Sequence, residues 1–446
     1  MTLRFLLPLL ACLGLAAPAS AAPPLQMANF ANGVKLIVQE DHAAPVAMVQ
    51  VWLKVGGRDE VPGKTGLAHV FEHMMFKGSK KLAAGEYSNR IAAMGGNDNA
   101  FTSTDFTAYF ETVPASAVDE VLGMEAERFG HLALRDADFR KEIRVIMEER
   151  RMRTDDNPNS RMFEELSAAA LRLHPYRNPV IGWMQDLEKL TIQDVRAFYA
   201  EHYVPANATV VVVGDVDFKH MQAVVGKTFG KLKKRNVRPR FNPVEPEPLG
   251  PKRVTVDLPA QLPMLAVTIP APVWRPGEND REAAALAVAT QILAGGRSAI
   301  LNRSIVDEQR KAFSVSAGYD PFSMGIDLWF AEGMLGPKQS PDAFEGALWQ
   351  AIGKLARNGP SKNELAAAIR NMVADEVFAQ DSLYLRAKQI GAMETVGIGA
   401  DKMDAWLTAV RQVKAADIQQ VLTRWIKPER ATTGVLNPTK KSGGAS

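Results

Sequence analysis

Two histidines four residues apart, with a glutamate beside the second, are the side chains of this sequence best suited to chemistry: His69-Val70-Phe71-Glu72-His73. On a helix, positions 69, 72 and 73 fall on one face, so both imidazoles can reach a single ion while the carboxylate stands next to it. Imidazole nitrogen suits zinc, and a catalytic zinc needs a third protein ligand and a position left open for water. A carboxylate that stands beside the ion without binding it is placed to serve as a base, which is the role expected of Glu72. Manganese and cobalt stay open as alternatives to zinc, because site geometry and metal supply decide among them. All seven histidines, at 42, 69, 73, 131, 174, 202 and 220, lie in the first half of the chain. Any such metal site therefore belongs to that half.

The elements that must hold this turn in place are foreshadowed by an internal repeat. Residues 194–209 align without a gap on residues 417–432, an offset of 223 that carries Pro205 onto Pro428. In both copies an amphipathic helical stretch stops before the proline, which cannot continue a helix. An apolar β-type run follows each, Val210 to Val213 and Thr433 to Leu436. Further upstream, the β-rich run from Met48 to Leu53 has a counterpart from Met264 to Ile269. Between the halves, residues 231–253 carry prolines at 239, 243, 246, 248 and 251 among many basic residues, a linker composition. The expected fold class is α+β, with two homologous domains, each a mostly antiparallel sheet with helices packed against it. They are expected over residues 22–230 and 254–439, followed by a disordered tail at 440–446.

Composition narrows the setting. The chain has 446 residues, 46% hydrophobic and 23% charged, an ordinary globular balance large enough for two cores. Its 53 basic and 50 acidic side chains leave a net charge of +3, which offers no electrostatic case for a nucleic-acid partner. At the amino terminus Arg4 precedes an apolar run from Phe5 to Ala17 and then Ala19-Ser20-Ala21, the pattern of a secretory signal over residues 1–21. That run is too short to span a bilayer, and no later segment is long and apolar enough. The expected location is outside the cytoplasm, in a bacterial periplasm. The sole cysteine, Cys12, sits within the signal, so the mature chain would have no thiol and no disulfide. A lipid-attachment reading of Leu9-Leu10-Ala11-Cys12 is disfavoured because it leaves a very short apolar region.

Several further stretches carry a family resemblance. They are Gly56-Gly57-Arg58-Asp59-Glu60 before the histidine turn, Gly95-Gly96-Asn97-Asp98-Asn99-Ala100-Phe101-Thr102 after it, then Glu142 to Glu149, His174-Pro175-Tyr176 and Val213-Gly214-Asp215. In this order, and with His69, Glu72 and His73, they resemble the pitrilysin and insulinase family of zinc metallopeptidases, including mitochondrial-processing-peptidase-like proteins. That family inverts the commoner His-Glu-x-x-His motif. The resemblance implies a third ligand, a glutamate on another helix, seven residues after a supporting glutamate. Glu149 and Glu142 fit that register, with Glu142 expected to orient a ligating histidine. Seven residues are about two helical turns, so Glu142 and Glu149 share a face while the neighbouring Glu148 points roughly 100° away. The implied activity is zinc-dependent endopeptidase action with one zinc per chain, Glu72 taking a proton from water and passing it to the leaving amine. Asn99, Ala100, Phe101 and Thr102 match the strand that, in the family, offers its edge to an extended peptide.

The sequence also departs from the family pattern. Members that act alone carry an arginine and, seven residues on, a tyrosine in a later half; that register falls here on Val306 and Phe313, neither of which can do polar work. Arg310 and Tyr319 are nearby at a different spacing, and surface roles are expected for both. Single-chain members enclose substrate with four such domains and this chain has two. A closed chamber formed with a related partner subunit that supplies the Arg/Tyr pair is therefore implied. The competing readings are a non-catalytic clamshell scaffold, a closed structural zinc site and a periplasmic peptide-binding protein.

Overall fold

In the computed structural model, which describes residues 24–277 and 280–439, the chain builds two sheets of the same connectivity. The expected signal over 1–21, with Cys12, and the expected tail at 440–446 lie outside the described residues. The first half begins with β1 (Gln26–Asn29), β2 (Lys35–Glu40) and β3 (Val46–Leu53), followed by α1 (Leu67–Met74) and α2 (Glu86–Ala93). It continues through β4 (Asn97–Thr102), β5 (Thr107–Pro114), α3 (Val118–Gly130), α4 (Asp136–Arg150) and α5 (Pro158–Ala170). Next come α6 (Met184–Leu187), α7 (Ile192–His202), β6 (Ala208–Gly214) and α8 (Phe218–Lys227). The second half runs β7 (Lys252–Pro259), β8 (Met264–Ala271), α9 (Asp280–Ala294), β9 (Ser314–Gly318) and β10 (Asp327–Met334). Helices α10 (Pro341–Asn358), α11 (Lys362–Ala379), α12 (Leu383–Thr395), α13 (Met403–Arg411) and α14 (Ala415–Arg424) precede β11 (Thr432–Thr439).

The sheet orders are β1-β2-β6-β3-β5-β4 and β7-β11-β8-β10-β9, so the second repeats the first without its outermost strand. One pairing in each is parallel, β2 with β6 and β7 with β11; the others are antiparallel. The repeat noted in the sequence is the unit α7–β6 and its copy α14–β11. Each helix starts with the same device: the backbone N–H of Thr191 donates to Asp194 Oδ2 at 2.9 Å, and that of Lys414 to Asp417 Oδ2 at 2.9 Å. Strand β7 starts at Lys252, inside the stretch expected to be linker, because Lys252 already pairs in register with Thr432 of β11.

Every residue of β6 is buried, which requires cover on both faces of the sheet. Val210 and Val212 point into the core formed with the helices of their own half, while Val211 and Val213 point into a second cluster with Ala387 and Ile390 of α12. The second sheet mirrors this. Leu265 and Val267 of β8 join the helices of their own half, and Met264 and Ala266 meet Met162 and Leu166 of α5. Each half thus lends one helix to the outer face of the other's sheet. On the α12 side the fit is tight enough to require glycine: a side-chain carbon at Gly391 would lie 2.1 Å from the Trp52 indole. Lys35 Nζ to Glu394 Oε1 at 2.6 Å adds an ion pair across the same junction.

The segment between the halves has neither helix nor strand over residues 233–251, yet it is tied down along its length. Arg240 donates to both carboxylate oxygens of Asp59 at 2.9 and 2.6 Å. Glu245 accepts the backbone N–H groups of Arg172, Leu173 and His174 at 2.6, 2.9 and 2.8 Å. Beside it, Tyr176 donates to Asp105, and the backbone N–H of Met324 in the second half donates to Asp105 Oδ2 at 3.0 Å. His174 is buried in this junction with its Nε2 unpartnered and its Nδ1 accepting the Tyr176 N–H. Burial, reinforced by Arg58, pulls its pKa down to about 4. The folded chain thus keeps His174 neutral where the unfolded chain would protonate it, below about 6.5. Protons taken up only by the unfolded state destabilise the fold, so stability is present above pH 6.5 and drains away as pH falls toward 4. Urea unfolding midpoints of wild type and His174→Asn measured across this window are expected to diverge, the wild type losing stability more steeply with acid.

Candidate metal centre

Helix α1 is set in place before any of its functional side chains are considered. Glu60, from the Gly-Gly-Arg-Asp-Glu stretch, accepts the N–H groups of Gly66 and Ala68 at 2.7 Å each, satisfying the exposed donors of the helix start. Gly66 has φ 89°, a left-handed conformation that favours glycine. Here the loop carrying Gly182 presses against it, and a side-chain carbon on Gly182 would lie 2.7 Å from the Gly66 Cα. The apolar face of α1 packs inward, with Phe71 stacked on Tyr199 at 5.5 Å between ring centres and against Tyr203 at 3.9 Å. His69, Glu72 and His73 are left facing α4 and β4.

Between these elements, donor atoms of His69, His73 and Glu149 all lie within 4.8 Å of one another. Glu149 Oε2 is 3.8 Å from His69 Nε2 and 3.4 Å from His73 Nε2. On its other side, His73 Nδ1 lies 3.4 Å from Glu142 Oε2, and Glu142 Oε1 takes an ion pair from Lys77 Nζ at 2.7 Å. Glu148 points away, to Arg151 at 2.8 Å. Glu72 is held by the hydroxyl of Thr102, which donates to its Oε2. Burial pulls the His69 pKa down to about 3, helped by His73 and Arg153, so the imidazole is neutral and its lone pair available. Burial also raises the pKa of Glu72 above the ordinary carboxylate range, against the opposing pull of the Thr102 hydrogen bond.

A cleft of about 530 Å³ opens over this cluster, lined by His69, Glu72, His73, Glu149 and all four of Asn99, Ala100, Phe101 and Thr102. Strand β4 is the last in its sheet, paired only with β5. Alternation divides its side chains: Thr102 turns to Glu72, while Phe101 packs edge-on against Trp52 at 5.6 Å on the opposite face. Arg153, Thr154, Val180 and Ile181 also line the cleft and went unnoticed in the sequence. The run of basic residues after Glu149 was the one signal available for Arg153.

Comparison with known proteins finds relatives along nearly the whole chain. Residues 35–183 match the family described as insulinase (peptidase family M16), and residues 189–372 match the one described as peptidase M16 inactive domain. Over 430 residues, covering 94% of both chains, the sequence is 30% identical to the zinc protease PqqE of Helicobacter pylori. The chain belongs to peptidase family M16. A crystal structure of a protease from Helicobacter pylori superposes with a TM-score of 0.88 at 28% identity, over 93% of this chain and 100% of that one. The M16 fold also appears in the periplasmic protease PqqL of Escherichia coli, with a TM-score of 0.78 at 18% identity; 94% of this chain covers 48% of PqqL.

Within this M16 chain, the register expected for an Arg/Tyr pair is apolar in space as well as in sequence. Val306 packs against the second core and Phe313 is exposed. Arg310 is exposed, as expected, but Tyr319 is not a surface residue: it is half-buried and its hydroxyl donates to the Pro272 carbonyl. Pro272 lies just past the end of β8, and this contact draws the ring inward. A second arginine matters more. Arg150, the neighbour of Glu149, is buried and donates to both oxygens of Glu164 on α5 at 2.8 and 2.9 Å, and to the Gly182 carbonyl at 2.8 Å. Through Gly182 it also reaches the start of α1, so one guanidinium ties together both helices of the site. Arg150→Met should cost about 1–3 kcal/mol in urea unfolding, since Glu164 would lose its buried partner and keep only the partly exposed Arg161 at 2.8 Å. The double variant Arg150→Met, Glu164→Met should recover most of that loss.

Proposed function

We propose that this chain is a zinc-dependent endopeptidase for extended peptides or unfolded protein segments, with His69, His73 and Glu149 as ligands and Glu72 as the base. The observation that carries the proposal is three donor atoms from two helices within 4.8 Å, with a second carboxylate, Glu72, beside them and held by the Thr102 hydroxyl. Two imidazole nitrogens and one carboxylate oxygen fit zinc in an open site, whereas a closed structural site takes four protein ligands. When bound, zinc would supply the Lewis acidity that acidifies water and polarises a peptide carbonyl. The protein groups do the rest. Glu142 fixes His73 by holding its Nδ1, which leaves Nε2 directed at the ligand cluster. Glu72, with its pKa raised by burial, accepts a proton more readily than an exposed carboxylate and can return it to the leaving nitrogen.

Substrate is proposed to add as a strand along the open edge of β4, at Asn99 to Thr102, with main-chain hydrogen bonds giving affinity. The apolar residues at 306 and 313 support a related partner subunit that contributes the missing polar pair. The sequence signal over 1–21, together with the fold shared with a protease described as periplasmic, supports action in the periplasm. Among the described residues no helix is long and apolar enough to cross a membrane. The proposed domains are residues 22–230 and 254–439, with 231–253 joining them.

Purified mature chain, alone and mixed with candidate partner subunits, is to be assayed on fluorogenic peptides. Chelation should abolish hydrolysis and zinc should restore it. Glu72→Gln is expected to keep one zinc per chain while kcat falls by about 10²–10⁴-fold, the usual worth of a general base. His69→Ala is expected to lose both metal and turnover. Stoichiometric zinc without hydrolysis in any mixture would replace this reading with that of a non-catalytic clamshell scaffold.

A further inference from the structure

Helix α4 runs into a π-helical turn, Arg151–Asp155, that begins two residues after Glu149. The turn is fixed from its far side, where Asp155 Oδ1 lies 3.3 Å from the buried Arg150 guanidinium. Four residues on from Glu149, Arg153 lies over the cleft, where its Nη1 meets Glu149 Oε1 at 2.7 Å. The two oxygens of Glu149 are thereby given different tasks. Oε2 faces His69 and His73 at 3.8 and 3.4 Å, and Oε1 faces Arg153. The Arg153 side chain is 72% exposed, and an exposed helical pair of this kind contributes little to folding. Its consequence lies in the direction it imposes on the carboxylate.

We propose that Arg153 is a positioning residue that occupies Oε1 of Glu149, so that the ligand presents Oε2 alone and a coordination position stays open for water. The inference rests on the metal-site reading above and deepens it. Zinc accepts a fifth ligand readily, so a carboxylate free to bind through both oxygens would fill the position that the reaction needs. Removing Arg153 also removes a positive charge beside the ion, which by itself favours metal binding. Together these effects reverse the usual outcome of losing a supporting residue: the metal is held at least as tightly and the reaction slows.

The test uses the full mature chain, as wild type, Arg153→Ala and Arg153→Lys, each loaded with cobalt as a spectroscopic probe and titrated with zinc against a chelator. Arg153→Ala is expected to bind both metals no more weakly than wild type. Its cobalt visible band should drop severalfold in intensity, as for a move from four to five ligands, and kcat should fall by roughly 10–100-fold with KM little changed. Arg153→Lys should recover part of the band and of kcat. An unchanged cobalt band in Arg153→Ala overturns the inference and leaves the metal site standing, and a rise in KM alone would reassign Arg153 to substrate contact. Weakened metal binding would mark a merely structural role. A wild-type chain that takes up no cobalt or zinc overturns the metal-site reading and this inference with it.

Discussion

The strands at the centre of each sheet are apolar on both faces, and a sheet of that kind is stable only if something covers each side. Helices of the same half cover one face. For the other, the chain exchanges elements: α5 leaves the first half to lie on β7, β8 and β11, and α12 leaves the second half to lie on β3 and β6. Neither half is a finished object without the other, which distinguishes this pair from two domains joined by a tether. The histidine-bearing half depends on the other for its stability even though the candidate metal cluster found among the described residues lies wholly in the first.

This exchange reaches the candidate metal centre through the order of elements. Helix α4 carries Glu142 and Glu149, and only the π-helical turn separates it from α5, the helix given to the other sheet. Where α5 docks therefore limits where Glu149 stands. Arg150 makes the limit specific, because its planar fork meets Glu164 through two hydrogen bonds while its third contact is the carbonyl of Gly182, a residue packed closely on Gly66 at the start of α1. A single buried cation thus relates the helix of the histidines to the helix of the carboxylates. Such a pair gains little net stability over a well-packed apolar one, and its value here is in fixing relative position.

What could be read in advance follows from the range of each interaction. The turn of His69, Glu72 and His73 is local, so helical spacing alone puts the three side chains on one face. The doubled architecture left its trace in the α7–β6 and α14–β11 repeat, where a capping carboxylate, a stopping proline and a buried strand recur in register. Glu149 and Glu142 came from family resemblance, since nothing in their own helix announces a metal. The bond from Thr102 to Glu72 and the clamp at Arg150 join residues brought together by the fold, and no periodicity records them, whereas Arg153 meets Glu149 at ordinary i,i+4 spacing. Nor could amphipathicity tell that α5 and α12 serve the opposite sheet, because an apolar stripe states that a helix is buried and not against what. Tyr319 was misplaced for the same reason: its cover comes from a distant loop.

The proline-rich segment between the halves is fastened by Arg240 to Asp59 and by Glu245 to three successive backbone amides. Its composition reads as a spacer, but its attachments remove the slack that a spacer provides. With helices exchanged and the strap fastened, the two halves are tied to each other at several separate places. If the chain acts on peptides as proposed, attachments of this kind oppose an opening between its own halves. In a paired assembly the mouth would open where one chain meets the next, and access would be governed by the strength of that contact.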